Sequence, residues 1–233
     1  NNPWTPIQNF EFNILKAKAL HATALEISEV WPKISKHVTR TRTPTTNSFF
    51  DILFNTIGNI AETGLASYYV YTEQALVTTV SAMEVYFKDR LAYSIQQHPN
   101  LLNRYMDRTL KIKRIVDHDF NIQINIGRLI TENLDFQNLK EVQTEYKNVY
   151  GYEPFSKEEL EWLRKIFSFR HVIIHRSGFV DHQFIRDTGI KYKAGQRVCL
   201  ERKELIAIIN YIESLITNLD YKIEKKNTLV VVV

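Results

Sequence analysis

One cysteine, Cys199, stands among 233 residues. A single thiol excludes a disulfide framework and fits a reducing compartment. Glycine and proline are scarce as well, at seven and six. Their joint share is roughly half that of an average chain, about 12%. Loops are therefore few, which argues against a small barrel built on tight turns. No apolar run approaches the ~18 residues of a membrane span. The chain begins Asn1-Asn2 and has no basic-then-apolar leader pattern. An excess of one charge is also lacking: 30 Lys+Arg against 26 Asp+Glu leaves +4. That balance permits a nucleic-acid partner without demanding one. Together these absences predict a cytoplasmic chain with no membrane partner.

What is present is apolar and aromatic. Hydrophobic residues make up 44%, with 13 Phe, 12 Tyr and 3 Trp, enough for a sizeable core. Helical periodicity dominates. Phe10 to Val30 reads as a helix that Pro32 ends or kinks at Trp31. Lys33 to Thr46, polar and basic with Pro44, reads as a linker or loop. Phe49 to Glu62 reads as a helix. From Glu73 to Gln97, Leu76, Val80, Met83, Phe87, Leu91 and Ile95 recur at three- and four-residue steps. Thr72 is the expected N-cap of that helix. Glu84 lies beside its stripe, as a solvated flank residue or a functional one. Leu101 to Val116 reads as a basic helix, and Asn121 to Asn133 and Phe136 to Tyr150 as two short ones.

Ser156-Lys-Glu-Glu159 is a capping box that opens a helix to about His175. Gly178, Gly189 and Gly195 follow, and Ile190–Tyr192 with Arg197–Cys199 is the expected β-hairpin if the segment is not simply a loop. A last helix spans about Arg202 to Ile223. The fold class expected is all-α: a helical bundle with a small β-hairpin or loop insertion before the last helix. Residues 1–64 read as an N-terminal helical extension, 65–228 as the main helical domain, and 229–233 as an apolar tail.

Glycine-rich phosphate loops, nucleophile elbows, Cys-x-x-Cys pairs and His-Glu-x-x-His motifs are all missing. No cofactor is expected. The densest polar cluster runs from Phe169 through Arg170, His171, His175, Arg176 and Asp181 to His182. At 100° per residue His171 and His175 lie about 40° apart, and Arg170 about 140° from His175. An unwinding last turn would bring Arg170 and His175 together.

Three readings of this cluster stay open. The cations can serve the helix C-terminus and its free carbonyls. The two histidines can hold zinc, with Asp181 or His182 as a further ligand, although two arginines beside a dication are poor electrostatics. The third reading is phosphodiester chemistry without metal. RNA carries its own nucleophile, the 2′-OH. Histidine moves protons near pH 7 and arginine binds phosphate oxygens in a fork.

Arg170-His171-Val-Ile-Ile-His175 resembles the Arg–polar–x3–His motif of the HEPN superfamily. The long helix around Ala82-Met83-Glu84-Val85-Tyr86-Phe87 resembles the second helix of bacterial branches such as the RiboL-PSP-HEPN group. The loop Ser177-Gly178-Phe179-Val180-Asp181 and the final helix are similar in order as well. The likeness covers about Glu73 to Ile223. It implies a helical bundle in a two-fold dimer whose paired Arg and His residues face one composite cleft. It implies a metal-independent endoribonuclease leaving 2′,3′-cyclic phosphate and 5′-OH ends, in toxin–antitoxin, abortive-infection or other antiviral roles. His175 would be the general base or acid and Arg170 would hold the scissile phosphate. His171 would orient Arg170 or the phosphate, and Glu84 would support Arg170 or His175. Arg176, Lys191 and Lys193 would touch the RNA backbone. An antitoxin or a sensor is a further expected partner. The alternative is an inactive helical dimer that binds RNA, nucleotide or protein.

Overall fold

The computed structural model describes residues 5–41 and 64–230. Among them the chain is helical and forms no β-strand. The order is α1 (Pro6–Thr41), α2 (Gly64–Gln97), a 3₁₀ turn (Pro99–Tyr105), α3 (Ile112–Asp117), α4 (Ile122–Thr131), α5 (Leu139–Tyr150), α6 (Lys157–Arg176), α7 (His182–Thr188) and α8 (Arg202–Val230). No helix of the described residues is long and apolar enough to cross a membrane. The helix expected at 49–62 lies outside the described residues, as do the end of the linker and residues 231–233.

Helix α2 is the axis. Its stripe of Leu76, Val80, Met83, Phe87, Leu91 and Ile95 is buried, and so are Ala75, Ala82 and Tyr86 beside it. A helix buried over so wide a face must be covered from several sides. Helices α1, α4, α5, α6 and α8 all pack on it. Phe10 of α1 meets the Tyr86 ring edge-on at 5.7 Å. Phe87 packs edge-to-face on Tyr146 of α5 at 5.6 Å. Phe10, Ile14 and Ala17 of α1 share one buried cluster with the residues of α2, α5, α6 and α8.

The apolar faces of α2 also carry polar groups, which find partners on several neighbours. The Arg90 side chain is 2% exposed, with Nη1 2.6 Å from Glu224 and Nε 3.5 Å from Asp220 on α8. Desolvation opposes its charge, but the nearby Tyr150, Asp220, Tyr86 and Glu224 outweigh it and raise its pKa above the ordinary arginine value. The Tyr86 hydroxyl donates to the same Asp220 at 2.8 Å. Asn9 of α1 donates to Asp89 at 3.2 Å. Glu73 receives the Arg197 guanidinium in a fork, at 3.0 to 3.2 Å.

Four sequence expectations need correction. Helix α1 does not end near Trp31 but runs through Pro32 to Thr41. Proline removes one backbone donor and crowds the carbonyl four residues back, which costs and bends a helix, but Pro32 does not end this one. Residues 33–41 are accordingly helix and not linker. Thr72 is not an N-cap: α2 begins at Gly64, and the Thr72 hydroxyl, buried inside the helix, donates to the Tyr69 carbonyl. The basic stretch Leu101 to Val116 is not one helix but a 3₁₀ turn and the short α3. Tyr105 is its one buried side chain from 101 to 116, so no apolar stripe holds a longer helix in place.

Of the two forms expected for this segment, a loop or a hairpin of 190–192 with 197–199, the hairpin is absent among the described residues. The chain instead forms a loop holding α7, with a single bridge between Phe179 and Arg197. The Val198 amide donates to the Gly178 carbonyl, the Val180 amide to the Gln196 carbonyl and the Gly195 amide to the Val180 carbonyl, at 2.8 to 2.9 Å. The segment after Gly195 thus pairs back to the end of α6. Tyr192 reaches Cys199 only through its hydroxyl.

The capping box forms as read: Ser156 Oγ accepts from the Glu159 amide, and Glu159 accepts from the Ser156 amide at 2.7 Å. Gly127 lets α4 lie close on α2, because a Cβ there would overlap the backbone carbonyl of Ala92. Gly127→Ala is therefore expected to lower stability by about 2 kcal/mol or more, against the slight gain alanine gives in an open helix. Denaturant unfolding of the two proteins checks it; equal midpoints would show that α4 is not held this closely.

Candidate active site

Helix α6 turns Leu163, Ile166, Phe169 and Val172 into the core. Arg170 follows Phe169 in the sequence, so it leaves the apolar stripe at its edge and meets α2. Its Nη2 lies 3.7 Å from Glu84 Oε2, and both side chains are 13% exposed. Its Nη1 donates to Gln137 Oε1 at 3.4 Å, from the segment between α4 and α5. Arg170 Nε and Glu84 Oε1 are buried and make no hydrogen bond. The pair is thus loosely engaged, with one buried polar atom on each partner left without a hydrogen bond.

Burial pushes the Glu84 carboxyl above its ordinary pKa, Arg170 pulls it back, and Asp135 adds to the rise. Desolvation wins over the ion pair here.

Arg170 and His171 line a cleft of about 230 Å³ with Gln137, Phe167, Asp181 and Asp187, among others. His175 is exposed one turn on, with its ring 4.7 Å from that of His171. The last turn of α6 does not unwind to bring His175 to Arg170: the helix is regular through Arg176 and ends at Ser177 in a left-handed conformation, φ 52°. Within one chain, then, Arg170 faces inward to Glu84, His171 stands at the cleft, and His175 lies outside its walls. Glu84 is not a solvated flank residue.

The remaining expected residues sit around this centre. Arg176 lies 3.5 Å from Asp181 and is more than half exposed. Asp181 caps α7, accepting from the Phe184 amide at 2.8 Å. That hydrogen bond first, and then Arg176, hold its carboxyl below the usual range. Lys191 and Lys193 are exposed on the loop after α7. Between them Tyr192 packs on Phe184, and Phe184 packs on Phe169 of α6, at 6.1 and 5.0 Å. Both lysines therefore flank a ring that is tied to the cleft wall.

Sequence reasoning missed Gln137, Gln183 and Asp187, all in the cleft. Their types and spacing carry no signal, since only the packing of α7 and of the α4–α5 segment on α6 brings them there. Their presence makes the cleft mixed in charge and not a uniformly basic groove. Among the described residues no group of three His, Cys, Asp or Glu side chains converges as metal ligands. No family model matches the chain, and neither a curated protein nor a solved structure matches it.

Glu84 allows a test by pH. Its raised folded pKa means that its contribution is fully present below the unfolded value, near 4.3, and is lost as pH rises through the folded value. The melting temperature of the native chain minus that of Glu84→Gln should therefore shrink as pH is raised from about 4 to 7. A difference that grows with pH would mean that Arg170 dominates and that burial does not.

Proposed function

We propose that the chain is a metal-independent endoribonuclease of the HEPN type, acting as a homodimer in a defence or toxin–antitoxin setting. The observation that carries this reading is Arg170, seated between Glu84 and Gln137 in a cleft wall that His171 also lines, with the His175 ring 4.7 Å from that of His171. The chemistry such a set can do is specific. An imidazole takes the proton of the RNA 2′-OH, whose oxygen attacks the adjacent phosphorus. The P–O5′ bond breaks, and the leaving 5′-oxygen receives a proton from an imidazolium. Arg170 offsets the extra charge on the phosphorane oxygens. The products are a 2′,3′-cyclic phosphate and a 5′-OH. DNA, without the attacking hydroxyl, is not a substrate.

His175 stands apart from the cleft that Arg170 lines, which suits a site completed by the second copy of a dimer. Arg176, Lys191 and Lys193 are the exposed cations for the RNA backbone. With Asp181 and Asp187 in the cleft, RNA affinity depends on local contacts and not on a broad positive field.

A second reading has its own support. Arg170 is mostly buried and already faces a carboxylate, so it can serve as a structural cation in a dimer that only binds RNA, nucleotide or protein. One assay separates the two. Total RNA is incubated with the protein in EDTA, beside His175→Ala and Arg170→Ala. The enzyme reading expects cyclic-phosphate ends, with cleavage reduced at least about 100-fold in either variant. Binding without cleavage at any protein concentration would sink it, and inhibition by EDTA would turn it toward a metal site.

A further inference from the structure

Helix α3 has an outer face that nothing in the described chain covers. Its inner side is held by Glu132, which takes Arg114 at 3.5 Å and His118 at 3.0 Å. Its outer side shows Ile112 at 77% and Val116 at 47% exposure, and none of its residues is buried. Met106 and Phe120 flank it in sequence, at 77% and 70% exposed, and Ile124 in the first turn of α4 is 61% exposed. So many large apolar side chains at high exposure within one short stretch mark a contact surface and not ordinary scatter.

The charges on this face name its occupant. At 100° per residue Ile112 and Val116 lie about 40° apart, and Lys113 and Asp117 form a second row on the adjacent flank. Both are exposed, and among the described residues neither forms an ion pair. Their order does nothing for α3 itself. A lysine in the first turn and an aspartate in the last oppose the helix dipole, and Lys111 at the N-cap offers no side-chain cap. Under a two-fold axis that pairs α3 with a second α3 antiparallel, the same flank falls on the same side of both helices with its order reversed. Lys113 of one copy then meets Asp117 of the other, twice, across the four aliphatic side chains. A self-complementary patch of this kind is what an isologous contact requires.

We infer that the outer face of α3 is a homodimer interface, with a second copy of this chain as its occupant. The inference is independent of whether Arg170 and His175 cut RNA. It concerns a surface built from exposed residues, so its variants leave the core untouched.

Sedimentation velocity over a concentration series, without RNA, tests it. Lys113→Asp alone and Asp117→Lys alone should each weaken self-association at least about tenfold, by setting like charges opposite one another. The two variants mixed should associate with each other, and the double variant Lys113→Asp/Asp117→Lys should dimerise like the native chain. Ile112→Ser/Phe120→Ser should be a folded monomer by circular dichroism. Arg170→Ala and His175→Ala should dimerise normally, which keeps this result separate from loss of cleavage. A native chain that stays monomeric overturns the inference, and so does a dimer indifferent to all these changes. A monomer that binds vesicles containing phosphatidylserine would assign the face to a lipid surface instead.

Discussion

Everything in this fold is arranged around the burial of α2. A helix of 34 residues, Gly64–Gln97, is too broadly apolar to lie on a surface, so five other helices close over it. The polar groups it carries cannot reach water freely and must be answered by whatever packs there. Asp89 is answered from α1, Arg90 from α8, Glu84 from α6, and Glu73 from the loop before α8. The candidate site is one of these answers. Arg170 meets Glu84 because the buried stripe of α6 seats that helix on α2.

The energetics of these contacts are those of half-dry pairs. The carboxyls of both Glu84 and Asp220 sit above their ordinary pKa although each faces an arginine, because burial outweighs the attraction. Such pairs contribute orientation more than net stability. For Arg170 that is the useful property: a guanidinium held in direction, with Nε unused, in the wall of a cleft. The neighbouring Asp181 shows the contrast. Partly exposed, and bonded to the Phe184 amide, it is held below the usual range and stays ionised as the cap of α7.

Local rules found the elements whose determinants are local. The stripes of α2 and α8 and the capping box at Ser156 needed only spacing and side-chain type. Other errors came from reading local signals too strongly. Pro32 is a breaker by propensity, but one missing donor does not end α1. Thr72 has the chemistry of a cap, and it spends its hydroxyl inside the helix. The run from Leu101 to Val116 has helix-forming residues with almost nothing to bury, and it breaks up. The segment after Gly189 looks like a hairpin, but its pairing partner is the end of α6 and not its own other half.

The sequence by itself determined that the chain is helical, that an Arg-His-x3-His cluster ends one helix, and that Glu84 flanks the stripe of another. These follow from periodicity and residue type, which act over a few residues. Only the tertiary structure decided that Glu84 and Arg170 meet, that Gln137 and Asp187 enter the same cleft, and that His175 stays outside it. Those placements depend on how helices separated by three others pack on α2. That packing follows from shape and burial summed over the whole core, which no local pattern encodes.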